Sequence, residues 1–343
     1  MKRWSPTRLL ITVGIGVFVW ALIAAGCLVV GSTGSVGLPS VDQLPWRLES
    51  VLMASLIGAA LSAAGVVYQA ILRNPLADPY LLGISSGASL FAYLWQFRFI
   101  AGFTALATAL TGAALTQQAF TFVGGALSIA VVFLLATRRG RLDPITLLLV
   151  GVIVNAVNGS VFLLINTLYR DLPGSGGAFA FLVGGIQSNL TRQQEFVSAG
   201  VIALGWVSLM FLSGQLNVAA LSESEAQALG VRIHRLRWVS LILASLITAA
   251  AVAVSGPIGF VGLVCPHVGR LLVGSDTRRL LPIATGLGAS LLAVADAAAR
   301  YLSARGRVDY LLPVGVLTGL LGGPFFLLLL WQNRRSLLGE VSR

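Results

Sequence analysis

The sequence predicts an all-α protein that crosses a membrane about ten times. Hydrophobic residues make up 57% of the 343 positions and charged residues only 10%, and the mean hydropathy is +0.89. A soluble domain of this composition lacks the polar side chains that would cover its surface. Apolar runs of about 20 residues, the length that a ~30 Å hydrocarbon layer requires of a helix, follow one another with short polar gaps. We therefore expect a single transmembrane domain over residues 1–343, with no soluble domain beside it.

Each apolar run predicts one spanning helix. The expected spans are Leu9–Val30, Leu48–Leu72, Ile84–Phe103, Ala119–Thr137, Ile145–Tyr169, Phe196–Ser213, Val239–Ser255, Gly262–Val273, Leu281–Arg300 and Leu311–Trp331. The eighth run is short for a span, and the apolar stretch Ala101–Ala119 predicts no full span of its own. Either of these two is compatible with a re-entrant or interfacial segment.

The basic residues predict the orientation, because Lys and Arg concentrate on the cytoplasmic side of membrane proteins. With the N-terminus inside, 16 of the 23 basic residues fall on cytoplasmic segments, among them Arg73, Arg138, Arg141, Arg235 and Arg270. Both termini are then cytoplasmic. The expected location is the inner membrane of a bacterium. This topology explains the net charge of +11, so no nucleic-acid partner is needed.

The polar residues inside the spans are mostly uncharged. Acidic side chains lie near span ends, with Glu49 and Asp296 the deepest, which argues against a proton-coupled carrier. Small residues and amides are typical of helix packing in membranes. The alternative is that some amides line a wide, nearly uncharged passage for a bulky solute: Gln69, Asn155, Asn158 and Asn166. Cys27 and Cys265 lie in apolar stretches. We therefore expect both to be small buried hydrophobic residues rather than members of a disulfide or metal pair.

A polar segment at residues 215–232 predicts a short helix on the cytoplasmic side. Ser222 and Glu225 fit a capping box, and Gly230 fits a helix terminator. Because a helix of about two turns is marginal in water, contacts along Leu221, Ala226 and Leu229 must hold it. Either the helix rests on its own protein or it docks a cytoplasmic partner.

Four stretches carry a resemblance to a known family: QAILRNPLADPYLLGISSGASL, LGVRIHRLR, SGPIGFVGLVCPHVGRLL and LPVGVLTGLLGGPFFLLLL. Together they resemble the FecCD-family permeases of type II ABC importers for iron–siderophores, haem and vitamin B12, from about Arg47 to Trp331. The resemblance implies a subunit of ten helices that pairs with a second permease, expected to be a second copy. Two cytoplasmic ATPases that bind ATP and Mg²⁺ dock below, and a periplasmic solute-binding protein docks above. This subunit is then not an enzyme, and it binds no cofactor or metal of its own.

The resemblance also assigns roles to residues at the cytoplasmic side. The gate beneath the passage corresponds to Asn74, Pro75 and Leu76. Proline removes helix N–H donors and glycine permits close backbone approach, which suits an interruption that serves as a hinge. The surface that meets the ATPase corresponds to Leu221, Ser222, Glu223, Glu225, Ala226, Leu229 and Gly230.

Outside the membrane, the resemblance assigns Arg47 and Arg300 to contacts with glutamates on the binding protein, with Arg305 and Arg307 as adjacent candidates. The alternative for all four is that they anchor helix ends at the lipid interface. Tryptophan at position 46 departs from the arginine-rich segment that is common there. Arg170 is a candidate contact for a haem propionate or an anchor at the lipid headgroups. His267 has no second histidine nearby in the sequence. We therefore expect its side chain to form a structural hydrogen bond rather than to bind haem.

The expected activity is alternating exposure of a central cavity, driven by nucleotide-dependent closure of the ATPases. An iron–siderophore is the first candidate solute, haem the second and cobalamin the third. The alternative is an ATP-independent secondary carrier or channel, which requires ionisable groups at midplane depth or inverted repeats. An intramembrane enzyme needs a nucleophile–base or metal constellation, which two histidines and two scattered cysteines do not supply.

Overall fold

The residues that the structure describes form a bundle of ten longer helices and one short helix. The computed structural model describes residues 6–31, 36–95, 97, 102, 117–138, 141–142, 144–169, 183–186, 190–219, 223–228, 230–305 and 312–340. The helices are α1 Pro6–Leu28, α2 Leu44–Ile71, α3 Ile84–Leu94, α4 Gln117–Ala136, α5 Pro144–Leu168, α6 Arg192–Ala219, α7 Glu223–Ala228, α8 Ile233–Ser255, α9 Val261–Val273, α10 Thr277–Arg305 and α11 Val314–Glu340. A 3-10 helix covers Pro79–Leu82, and two-residue strands β1 (Thr137–Arg138) and β2 (Arg141–Leu142) pair in antiparallel fashion.

Each of the ten predicted spans overlaps one of the longer helices, which confirms the all-α multi-pass fold, although α3 ends at Leu94 within the predicted span Ile84–Phe103. Within the described residues, seven helices are long and apolar enough to cross a membrane, and three shorter apolar helices are Ile84–Leu94, Val261–Val273 and Val314–Leu328. The eighth predicted span is short because α9 begins only after the irregular segment 256–260. The stretch Ala101–Ala119 lies outside the described residues, except for Gly102 and the first turn of α4.

Helices α2 and α8 form the centre of the bundle. In their spans 78% and 72% of the residues are buried, against 6% in α1 and 11% in α5. Glycines bring α2 against its neighbours: a Cβ on Gly58 would lie 2.1 Å from the carbonyl oxygen of Gly288 in α10, and one on Gly65 would lie 1.9 Å from that of Gly262 in α9. Small residues of this kind let membrane helices approach backbone to backbone.

Hydrogen bonds identify the two ends of the bundle. At one end, Arg47 at the start of α2 donates to the carbonyl oxygen of Leu28, the last residue of α1. We call this the outer end. At the opposite end, Arg73 just after α2 donates to the carbonyl oxygen of Ala219, the last residue of α6. We call this the inner end, and the distribution of basic residues predicts that it is cytoplasmic.

The cysteines are buried and free, as expected. Cys27 packs with Val51, Ala54 and residues of α10, whereas Cys265 belongs to a different apolar cluster. Their positions agree with the interpretation of both as small buried hydrophobes.

Candidate gate and coupling site

The interruption after α2 folds into a compact turn, which we call the gate segment (Leu72–Gly83). The side-chain oxygen of Asn74 accepts the N–H of Leu76 at 2.9 Å, and the N–H of Ala77 donates to the Asn74 carbonyl at 3.1 Å. Pro75 is exposed, while Asn74 and Leu76 are half-buried. The predicted gate residues therefore lie together on the inner surface, where α2 ends.

Asp78 joins the gate segment to the second irregular segment of the bundle. One carboxylate oxygen accepts the N–H of Tyr80 and the other accepts the N–H of Phe260, both at 3.0 Å. Phe260 has a φ of 70° and Gly83 a φ of 79°, so both turns use left-handed backbone. Protein groups satisfy this non-helical backbone, as a membrane protein requires.

Gln69 has the helix-packing role, which is one of the two roles that the sequence left open. It is 3% exposed, and its side-chain nitrogen donates to the carbonyl oxygens of Ala77 at 3.3 Å and Gly262 at 3.2 Å. Its side-chain oxygen accepts a hydrogen bond from Arg270 in α9. A buried amide satisfied on both ends holds helices in place, so Gln69 fastens α2 to the gate segment and α9 instead of facing an open cavity.

The gate segment is tied directly to the end of α6. The Nε and Nη2 atoms of Arg73 both donate to the carbonyl oxygen of Ala219, at 3.1 and 3.0 Å. Arg73 has a φ of 49°, an uncommon backbone conformation for a residue with a side chain. The guanidinium thus caps the C-terminus of α6, where carbonyl oxygens lack helical partners and a cation is favourable.

The same end of α6 is also tied to α10. The side-chain nitrogen of Asn217 donates to Asp276 Oδ1 at 2.7 Å, and its oxygen accepts the N–H of Thr277 at 2.7 Å. Asp276 in turn accepts the N–H of Arg278 at 3.1 Å in the first turn of α10. The end of α6 is therefore connected on one side to the gate segment and on the other to α10.

The predicted short helix is present as α7, which follows α6 and packs against α6 and α8. Ala226 is fully buried and Glu225 is exposed. The N–H of Val231 donates to the Ala226 carbonyl at 3.1 Å across Gly230, whose φ is 76°. This is a Schellman ending, so Gly230 terminates the helix as its position in the sequence predicts. Leu221, Ser222 and Leu229 lie outside the described residues, as does the side chain of Glu223.

Two of the three asparagines of α5 bond across helices. Asn158 donates to the hydroxyl oxygens of Ser86 and Ser128 at 3.1 and 3.0 Å, and Asn166 accepts the hydroxyl of Tyr93 at 2.9 Å. These contacts hold α5 to α3 and α4, which is the packing role that the sequence left open. Asn155 is half-buried on the same helix.

The outer arginines are less accessible than expected for docking residues. Arg47 is 6% exposed and donates to the carbonyl oxygens of Leu28, Val29 and Gly37 and to the Gln43 side chain, at 2.8 to 3.2 Å. Arg300 is 4% exposed, pairs with Asp296 at 2.9 Å and donates to the carbonyl of Val30 at 3.1 Å. Both guanidinium groups hold the segment after α1 in place, and their role in docking a binding protein stays a prediction.

The remaining candidates lie partly within and partly outside the described residues. Arg305 is exposed at the end of α10, with its guanidinium 4.9 Å from the centre of the Tyr301 ring. Arg307 and Arg170 lie outside the described residues. His267 is half-buried in α9 and packs against Phe325 with ring centroids 5.7 Å apart. Histidine, cysteine and carboxylate side chains form no metal-binding group among the residues that the structure describes.

The buried pair at the outer end gives a first testable prediction. Arg300→Ala leaves the Asp296 carboxylate buried without its partner, so we expect a loss of about 3–5 kcal/mol of stability. Thermal unfolding of the purified protein measures this loss. The double variant Asp296→Ala/Arg300→Ala removes both charges and should unfold at a higher temperature than Arg300→Ala. Equal melting temperatures for the single and double variants would contradict the pairing.

The profile of the FecCD transport family matches residues 9–332, which include the gate segment, α7 and both outer arginines. The chain belongs to the FecCD transport family. Its fold is that of a type II ABC importer permease. The uncharacterized ABC transporter permease protein YvrB of Bacillus subtilis (strain 168) is 40% identical over 300 residues, which cover 84% of this chain and 78% of that relative. The hemin transport system permease protein HmuU of Yersinia pestis is 37% identical over 293 residues, which cover 84% and 83%.

A solved structure agrees with this assignment. A transporter described as a metal-chelate type ABC transporter, in an inward-facing conformation, superimposes with a TM-score of 0.78 at 29% identity. The match covers 94% of this chain and 99% of that chain. The chain is therefore a multi-pass membrane protein of the FecCD family along nearly its full length.

The sequence pattern did not single out the residues that connect these parts of the FecCD fold. Arg73, Asn217 and Asp276 join elements that are distant in sequence, and each is an ordinary polar residue at a helix end. The only signal for Arg73 was its place directly before the asparagine–proline pair at the end of α2, and this did not indicate a contact with α6.

Proposed function

We propose that this chain is the permease subunit of an ABC importer that moves a bulky metal chelate into the cytoplasm by alternating access. An iron–siderophore is the first candidate, followed by haem and cobalamin. The family membership supports the importer, and the hemin permease among the relatives supports a chelate of this size. Hydrolysis of ATP with Mg²⁺ takes place on two cytoplasmic ATPase subunits, a binding protein delivers the solute from the periplasm, and both termini of the permease are cytoplasmic.

The observation that carries the proposal is the connection between α7 and the gate segment. Helix α7 packs against α6, and the last residue of α6 accepts both hydrogen bonds from Arg73 of the gate segment. We expect a displacement of α7 by an ATPase to reach the gate segment through α6 and these two hydrogen bonds. This is a rigid-body mechanism of the kind in which packed helices shift as units.

The composition of α5 supports a passage for a solute that is bulky and not strongly ionic. Residues 144–168 contain no charged side chain, and Val157 and Leu164, which lie two turns apart on one face of α5, are exposed in this chain. Such a face suits contact with a second permease or the wall of a shared passage. A gradient-driven carrier would use a titratable group within the spans, whereas Asp296 here forms a buried pair with Arg300.

The test reverses the charges of the two acidic residues of α7. In proteoliposomes that contain the full complex, Glu223→Arg/Glu225→Arg should lower ATP-driven uptake at least tenfold and release the ATPase from the permease during affinity purification. Asp42→Arg, an exposed change at the outer end before α2, is the matched control. Wild-type uptake and a retained ATPase in the charge-reversed variant would contradict the coupling role of α7.

A second measurement identifies the solute class. Vesicles with the cognate binding protein are offered a ferric siderophore, haem, cobalamin or the free molybdate oxyanion, and ATP-dependent accumulation is followed. We expect accumulation of one of the three chelates. Accumulation of the oxyanion alone would contradict the proposed solute class.

A further inference from the structure

An elongated apolar groove lies between α4 and α8. It encloses about 620 Å³ and is lined from Phe122 to Thr137 on one side and from Trp238 to Ala249 on the other. This volume lies within the ~300–1,000 Å³ of ordinary ligand sites. Fifteen helical residues rise about 22 Å, which exceeds the ~15 Å of hydrocarbon in one leaflet. The groove thus has the length and the apolar character that suit an extended acyl chain.

The walls of the groove are accessible in this chain. Leu134 on α4 and Ile242 on α8 are 77% and 50% exposed although both line it. Ala126 and Ala130 are also exposed, and their small side chains leave the space between the helices open. Both helices are long and apolar enough to cross a membrane, so the exposed walls of the groove lie at the depth of the bilayer hydrocarbon.

Basic residues lie at one end of this groove. One face of α8 carries four residues in succession, at intervals of three, four and seven positions: Arg235, Trp238, Ile242 and Ala249. Arg235 is exposed and lies about one turn before Trp238. At the same end of α4, the β1–β2 hairpin places Arg138 opposite Arg141 in register. These residues belong to segments that the sequence predicts to be cytoplasmic.

Trp238 marks the boundary between the apolar and the basic parts. Its ring meets that of Phe133 nearly edge-on, with centroids 5.2 Å apart. Tryptophan is enriched at the level of lipid headgroups. Basic pockets between membrane helices on the cytoplasmic side are a recognised setting for anionic headgroups.

The geometry points to a binding site for an anionic phospholipid of the inner leaflet, with one acyl chain in the α4–α8 groove and the phosphate near Arg235. Charge complementarity selects an anionic lipid over a zwitterionic one, because the exposed Arg235 lies at one end of an otherwise apolar surface. None of the residues assigned to the gate, the solute passage or the ATPase surface lines the groove.

The test compares lipids on the purified full complex in detergent. Dioleoylphosphatidylglycerol should raise the melting temperature several degrees more than dioleoylphosphatidylcholine. Arg235→Gln should abolish this difference, whereas Arg192→Gln, an exposed arginine at the start of α6, should preserve it. A difference that persists unchanged in Arg235→Gln would overturn the assignment of the headgroup.

Two further variants test the acyl-chain site. Ala126→Phe fills the groove from an exposed position and should remove the stabilisation by both lipids. Phosphatidylglycerol with brominated chains should quench the fluorescence of the wild type more than that of Trp238→Phe. Equal quenching of the two proteins would overturn the proposal. So would a disulfide between two copies of Ile242→Cys in native membranes, because the groove would then be a subunit interface.

Discussion

Replacement of Arg73 by alanine is expected to uncouple ATP hydrolysis from transport. The variant loses both hydrogen bonds to the Ala219 carbonyl, and a hydrogen bond from a charged donor contributes about 1.5–3 kcal/mol. If these two hydrogen bonds transmit the movement of α6 to the gate segment, their loss should lower ATP-driven uptake about tenfold to a hundredfold. Assembly with the ATPase and the rate of ATP hydrolysis should change much less, since α7 itself is intact. Uptake and hydrolysis measured on the same proteoliposomes give the ratio.

Two variants separate this role from a general loss of charge. Arg73→Lys keeps the cation but cannot supply the paired Nε and Nη2 donors, so we expect partial recovery of uptake. Arg192→Ala removes an exposed arginine from the opposite end of α6 and should transport as the wild type does. If Arg73→Ala keeps the wild-type number of ATP molecules hydrolysed per solute, the guanidinium does not transmit the motion.

The second large effect is expected where α2 crosses α10. A Cβ on Gly288 would lie 2.3 Å from the Gly58 carbonyl oxygen. The two helix backbones would have to move apart to relieve this contact. Overpacking of this kind costs about 1–3 kcal/mol, and here it acts on the most buried span of the bundle. Gly288→Ala should therefore lower the melting temperature by several degrees and reduce the yield of folded protein.

The same helix supplies a matched control. A Cβ on Gly286 would meet no atom within 4 Å, so Gly286→Ala should leave the melting temperature unchanged or raise it, because alanine is the better helix former. Equal destabilisation by the two substitutions would mean that the close approach of α2 and α10 does not determine the stability of the bundle.

The helical architecture was predictable from the sequence because each span carries its own signal. Apolar length, prolines and glycines are local properties, and they located the ten longer helices of the described residues, the interruption at Asn74–Pro75 and the end of α7 at Gly230. The resemblance placed the gate and coupling motifs in order along the chain, and the family match over residues 9–332 includes both.

Side-chain partners were not predictable in the same way. The sequence does not reveal that Gln69 meets Arg270, 201 residues away, or that Arg300 meets the carbonyl of Val30, 270 residues away. The sequence around an amide or an arginine near a span end is the same whether its side chain faces a partner protein, a passage or a neighbouring helix. Only the crossing of α2 with α9 and α10 decides that Gln69 is enclosed, and only the fold of the segment after α1 buries Arg47.

The central claim, that α7 receives the movement of an ATPase, is tested most directly by cross-linking in the assembled complex. A cysteine placed at the exposed Glu225 should form a cross-link to the ATPase in native membranes, and its yield should change when a non-hydrolysable ATP analogue is added. A cysteine at the exposed Trp46, at the outer end, should give no such product. Labelling of the Glu225 position by a membrane-impermeant thiol reagent from the periplasmic side would contradict the account.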